Sequence, residues 1–251
     1  MRIKIANILI FLGVVVFGYA QNFHYDYQMV RIDSTFDKNI NPKLQHYVDK
    51  QKAQIDKVMS EVIGHCDKTL AGFAPESPLS NFITDMLLEQ APARTTNPDY
   101  AHCDLAVINF GGIHTTFEAG DITIGDVMSV FPFSNTLTFL EIKGSELRKA
   151  VRNFERKAAF SGATITYRGS QPIDIKIQGK ALDNNAIYKI VTVNFVAEGG
   201  DNIFKDIRFE SRQNTEVIIY DFIIDEIKKI TASGKSITGK TDGRVKILPQ
   251  P

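Results

Sequence analysis

After Asn41-Pro42, apolar residues recur at three- and four-residue spacing: Leu44, Tyr47, Val48, Ile55, Val58, Met59 and Val62. That period predicts an amphipathic helix running down to Gly64, opened by an N-cap residue and a proline at the first helical position. A second helix is predicted from Ser77-Pro78, with Leu79, Phe82, Ile83, Met86 and Leu87 on its apolar face and an end before Pro92. The period then changes. Leu105–Ile108 is a short apolar run stopped by Gly111-Gly112, the pattern of a buried strand and a turn. Asn135–Ile142 reads as another strand, and Ser145–Ala159 as a basic amphipathic helix. Thr164–Arg168 and Ile173–Ile177 alternate apolar with polar residues and read as paired strands, and Tyr188–Phe195 as a further strand. Glu216–Ile230 reads as the last long helix, with Ile218, Ile219, Phe222, Ile223 and Ile227 as its stripe. Helices and strands mix without strict alternation, repeat or linker, which predicts one α+β domain from residue 41 to 251.

The N-terminus departs from this pattern. Arg2 and Lys4 precede an apolar run, Ile8–Gly18, with small residues Gly18 and Ala20 just before Gln21. This is the layout of a secretory signal peptide over residues 1–20, cleaved near Ala20/Gln21. The run is too short to span roughly 30 Å of hydrocarbon, and no later stretch predicts a membrane span. Residues 21–40 read as an extended lead-in. The expected location is therefore periplasmic or secreted.

Charge and cysteine content narrow the function classes. Lys+Arg equals Asp+Glu at 29 each, so the electrostatic footprint of a nucleic-acid binder is missing and no nucleic-acid polymer is expected as a partner. Two cysteines, Cys66 and Cys103, are too few for a disulfide scaffold or a four-thiolate zinc site. In an exported chain they either form one bridge, worth roughly 4 kcal/mol in the chain-entropy account, or remain two buried thiols. The five histidines, His24, His46, His65, His102 and His114, show no metal-binding i, i+4 pair. A nucleophilic-serine elbow and a phosphate-binding glycine loop are missing as well. No catalytic residue, metal ligand or cofactor is expected in this chain.

Three loop segments carry the candidate chemistry. Asn109-Phe110-Gly111-Gly112-Ile113-His114 follows a predicted buried strand, and adjacent glycines let backbone N–H groups approach a ligand. Phe131-Pro132-Phe133-Ser134-Asn135 brings aromatic and amide side chains to a strand entrance. Asn194-Phe195 and Gly199-Gly200-Asp201 lie at another strand end. Each can equally be a structural turn with a core phenylalanine.

Taken together, the motifs resemble the C-terminal domain of the 5'-nucleotidase family. The resemblance rests on Ala119–Val127, Pro132-Phe133-Ser134-Asn135, the Glu76-Ser77-Pro78-Leu79-Ser80-Asn81 opening with Asp85, Asn109–His114, Asn194-Phe195 and Gly199-Gly200-Asp201, in family order over most of residues 40–250. It implies a four-layer α/β/β/α domain that supplies substrate specificity, while metals and catalytic residues reside in a separate metallophosphatase domain. On that resemblance Phe133 and Phe195 stack on a nucleoside base, Asn135 reads its edge, Asp201 meets the ribose, and Asn109, Gly111, Gly112 and His114 complete the substrate side. His114 stands where the family has arginine, and Thr69–Pro75 lacks another arginine often found there. Imidazole is mostly neutral at pH 7, whereas guanidinium is permanently charged and forked. The base-binding half thus looks retained and the phosphate half eroded. The implied role is a recognition domain in nucleotide catabolism, working with a separately encoded metallophosphatase chain that holds the divalent metals. The alternative is a non-catalytic module binding a nucleoside or another aromatic ligand.

Overall fold

Asn41 caps the first helix, α1 (Pro42–Met59), its side-chain oxygen accepting from the amides of Lys43 and Leu44 at 3.0 and 3.4 Å. The computed structural model describes residues 26–31, 33–34 and 40–250; the expected leader lies outside them, as does part of the lead-in. Two compact units divide at Lys50 and Gln51, and α1 begins in one and continues into the other. The helix is where the sequence places it, but its stripe is not core. No residue of α1 is buried, and Leu44, Tyr47, Val48, Ile55 and Val58 are exposed. Val62 belongs not to the helix but to a strand, β1 (Val62–Cys66).

In the second unit α2 (Pro78–Gln90) starts as predicted. Ser77 is its N-cap, and the Ser77 and Ser80 side chains bond reciprocally to each other's backbone N–H. Such a box satisfies two of the first-turn donors that a helix leaves unpaired. Leu79, Ile83, Met86 and Leu87 are buried, each side chain contributing roughly 1.5–3 kcal/mol on full burial. They face a five-stranded sheet whose members are β2 (Leu105–Asn109), β4 (Thr136–Lys143), β5 (Ala158–Ser161), β9 (Ile187–Val193) and β10 (Ser211–Ile218), in spatial order β10-β4-β9-β2-β5. A second sheet combines β6 (Ala163–Arg168), β7 (Gln171–Ile177), β8 (Lys180–Ala181) and β11 (Val245–Leu248) in the order β11-β6-β7-β8. The antiparallel β6–β7 pair is the one predicted from alternation. A third, two-stranded sheet pairs β1 with β3 (Gly120–Thr123), which leads into α3 (Ile124–Val130) through a Thr123/Asp126 capping box. The α+β class is the one expected.

Two further elements differ from expectation. The helix predicted over 145–159 is only α4 (Gly144–Val151); Ala158–Ser161 instead forms β5, antiparallel to β2. Its four residues are buried on both faces, so sheet pairing overrides a helical pattern. The last helix is α6 (Ile219–Ala232), and residues up to Ile218 form β10, antiparallel to β4. Its buried face is Ile219, Phe222, Ile223, Glu226 and Ile227, with Ile218 left on the strand.

Strand direction decides where the loops go. β2 and β9 are parallel, whereas β4 and β5 run against them. The C-terminal ends of β2 and β9 and the N-terminal ends of β4 and β5 therefore share one edge, and the segments after Asn109, before Thr136 and after Val193 converge there.

Candidate functional site

Each expected residue is delivered to that edge by a short local device. Asn109 ends β2 and is followed by a single 3-10 turn, Phe110–Gly112. The Phe110 amide donates to the Lys157 carbonyl at 2.8 Å, tying the turn to the start of β5. His114 is exposed, and its backbone N–H donates to the Val130 carbonyl at 2.9 Å. Phe195 is not on a strand, as predicted, but in the one-turn helix α5 (Asn194–Ala197) that follows β9.

The geometry brings these residues together in three small sets. His114 and Phe133 meet edge to face, centroids 5.0 Å apart and planes at 75°, a favoured arrangement for aromatic rings. Asn109 Nδ2 donates to Asp201 Oδ2 at 2.7 Å, across 92 residues of sequence. The Phe195 ring lies against Gly200, where any Cβ would overlap its edge. Asn135 joins the second and third loops through its neighbour: the Thr136 amide donates to Asn194 Oδ1 at 3.1 Å. The Asn135 carbonyl accepts from the Ile219 amide at 2.9 Å, and Ser134 and Tyr220 hydroxyls stand 3.4 Å apart. Phe133 and Phe195 are 48% and 41% exposed and do not touch each other as rings. Among the described residues they and Phe73 are the exposed phenylalanines.

The loop carrying Asp201 has a rare backbone. Gly199 has φ 90, and the non-glycine residues Asp201, Asn202 and Asp206 have φ 52, 60 and 60. Asp and Asn tolerate the left-handed region better than other side chains, and such conformations gather at ligand-handling loops. Asp201 is exposed, so its carboxylate offers acceptors to solvent at the same edge as two open aromatic faces. Asn194 and Gly200 are the residues that motif reading alone passed over as positioning elements. Asn194 was legible only as a neighbour of Phe195, since its bond to Thr136 depends on β4 lying beside β9.

Other sequence candidates fall elsewhere. The Glu76–Asp85 opening is an anchor. Glu76 Oε1 accepts from Asn81 Nδ2 at 2.9 Å and from the amides of Asp242 and Gly243 at 2.7 and 3.2 Å. Asp85 and Asp242 grip Arg244, which is 8% exposed and also donates to the Phe160 carbonyl. Burial works against the charge of Arg244, but hydrogen bonds to Asp242 and Asp85 prevail and raise its pKa. The Cys66–Cys103 bridge is not formed: both thiols are free and buried, Cys66 in β1 and Cys103 ahead of β2. Burial pushes them up to about 11 and about 12 respectively, the first by burial and Asp67, the second by burial and Asp104. A cavity of about 640 Å³ between α2 and α6 is lined by Phe82, Met86, Glu226 and Lys229, away from the loop edge. Its buried Glu226 is already paired with Arg94 at 2.7 Å and Lys229 at 2.8 Å. Among the described residues there is no group of three or more His, Cys, Asp or Glu side chains that could hold a metal ion. No helix among them is long and apolar enough to cross a membrane.

The protein is thus an α+β domain that brings aromatic, amide and carboxylate side chains from three loops to one sheet edge. The family described as 5'-nucleotidase, C-terminal domain, matches residues 62–206. The chain belongs to that family. It is similar to the trifunctional nucleotide phosphoesterase protein YfkN of Bacillus subtilis, 29% identical over 82% of this chain and 15% of that protein. Protein UshA of Yersinia enterocolitica is 31% identical over 84% of this chain and 36% of its own. The structure of a 5'-nucleotidase precursor from Thermus thermophilus superposes with a TM-score of 0.68 at 27% identity, over 82% of this chain and 43% of that one. The chain thus spans less than half the length of each of these relatives.

Proposed function

We propose that this domain recognises a nucleoside or nucleotide, with the base between Phe133 and Phe195, Asn135 at its edge and Asp201 toward the sugar hydroxyls. The observation that carries the reading is the pair of open phenylalanine faces at one sheet edge, beside a carboxylate held by Asn109. Rings at strand ends that stay exposed are free to stack on a ligand, and base–aromatic stacking is worth about 1–3 kcal/mol per base. The reading includes a division of labour. This chain supplies recognition, and a separately encoded, exported metallophosphatase supplies the divalent metals and the phosphoester chemistry. Export rests on the leader-like residues 1–20.

Purified protein with Mn²⁺, Zn²⁺ or Co²⁺ is expected to show no nucleotidase activity above a blank, because metal-assisted hydrolysis needs ligands that orient water and stabilise developing charge. Co-purification from the native envelope should bring a metallophosphatase with activity. Turnover that survives further purification of this chain alone would overturn the division of labour. A second reading, nucleoside binding with no part in hydrolysis, is favoured by His114, which sits edge-on to Phe133 in place of a permanent cation. Nucleoside and monophosphate binding equally well, with His114→Arg favouring the monophosphate, would support it.

A further inference from the structure

Phe73, 54% exposed, is the open phenylalanine among the described residues that the site above leaves unused. Its segment is clamped to the one that carries His114. The Leu70 amide donates to the Phe117 carbonyl at 2.8 Å, and the Phe117 amide donates back to the Leu70 carbonyl at 3.1 Å, forming an isolated antiparallel bridge. On one side of it Thr69 Oγ1 donates to Glu118 Oε2 at 3.0 Å. On the other, a Cβ at Gly72 would stand 2.8 Å from Ile113 Cγ2 and 3.5 Å from the Thr115 carbonyl oxygen, so glycine lets the two segments close there. Thr69 with Glu118, Leu70 with Phe117 and Gly72 with Thr115 share one antiparallel register, and that register sets Phe73 opposite His114. Side chains alternate faces along such a pair. Leu70 and Phe117 are buried, and Phe73 and His114 accordingly are exposed.

His114 in turn meets Phe133 edge to face at 5.0 Å. Phe73, His114 and Phe133 therefore make an aromatic ledge leading outward from the proposed base site. Residues 69–76 and 113–118 contain no lysine or arginine, and their charged members are Glu76 and Glu118. A phosphate set on this ledge would give up water and find no counter-charge in either segment, whereas an apolar group gains by leaving water. Resting on the second reading above, nucleoside binding with no part in hydrolysis, we infer that the ledge is a further ligand subsite, in which Phe73 and His114 receive an uncharged apolar or aromatic group carried by the nucleoside. With the base and sugar hydroxyls placed as above, the 5′ carbon is the position left to bear that group. The ligand class is a nucleoside with an apolar 5′ substituent in place of a 5′-phosphate.

The test is calorimetric titration of the full chain with adenosine, adenosine 5′-monophosphate and 5′-deoxy-5′-(phenylthio)adenosine, melting temperature being recorded alongside. Wild type is expected to bind the phenylthio compound about tenfold more tightly than adenosine, the gain of one added ring contact. The monophosphate should bind no more tightly than adenosine. Phe73→Ala should cut the phenylthio advantage to about threefold or less. Phe73→Lys sets a cation on the ledge, so the monophosphate should gain several-fold over adenosine while the phenylthio advantage falls. If Phe73→Ala does not fold, Phe73→Lys decides alone. A folded Phe73 variant that keeps the wild-type ratios overturns the subsite, as does a wild type that binds adenosine and the phenylthio compound equally or prefers the monophosphate. A wild type that binds none of the three overturns the nucleoside reading itself.

Discussion

Exposure separates the phenylalanines that pack from those available to a ligand. Phe133→Ala and Phe195→Ala should each weaken nucleoside binding at least several-fold in titration while costing less stability than truncation of a buried ring, since both are nearly half exposed. In the proposed site both rings act on one base, so the double mutant should be non-additive. Phe139, fully buried in β4, is the contrasting case: its truncation should cost about 3–5 kcal/mol of stability. A large loss of stability in both Phe133 and Phe195 variants would mark them as packing residues and leave the site unlocated. Asn194 sets the relation between the two loops through its acceptor for the Thr136 amide. Asn194→Ala should therefore weaken nucleoside binding, and Asn194→Asp, which keeps the acceptor, should restore most of it; equal losses in both variants would argue against that role. Residue types at these positions were legible in the sequence as loop motifs. Their exposure was not, because a phenylalanine at a turn reads the same whether it points inward or outward.

At the scale of elements, the molecule depends on anchors that tie distant segments to α2. Arg244 bonds Asp85, Asp242 and the Phe160 carbonyl, so it links the start of β11 to α2 and β5. Arg244→Ala should cost about 1–3 kcal/mol by urea denaturation, less than for a fully buried pair because both carboxylates are nearly half exposed. Arg244 also holds the Asp242 carboxyl below the usual carboxylate range. A carboxyl depressed in the folded state adds stability that is fully present above its unfolded value, near 3.9, and is lost as the pH falls through the folded one. Acid should therefore destabilise the wild type more steeply than Asp242→Asn below about pH 4; parallel acid profiles would remove Asp242 from the account. Helices with caps, α1 and α2, were legible at their starts because Asn41-Pro42 and Ser77-Pro78 are local signals. β5 and β10 were not, since each owes its extended state to a partner strand far away in sequence.

Across the whole molecule, export and thiol chemistry meet in one measurement. Cys66 and Cys103 are free, buried and shifted toward the thiol form, so they should resist alkylation in the native protein and both react after unfolding. Intact mass lower by two hydrogens in envelope material would restore the bridge. What the sequence by itself determined is whatever periodicity and turn chemistry carry locally: the α+β class, the capped helices, the β6–β7 pair and the residue types in the three loops. Family order of those loops also identified the kind of domain. Only the tertiary structure decided that α1 leaves its apolar stripe in solvent, that residues 158–161 pair with β2, and that Asn109 bonds Asp201. The last two outcomes turn on strand order and direction, which bring together residues 92 apart. A run of residues specifies its own hydrogen-bonding period, but its partner is chosen by the burial of the whole sheet.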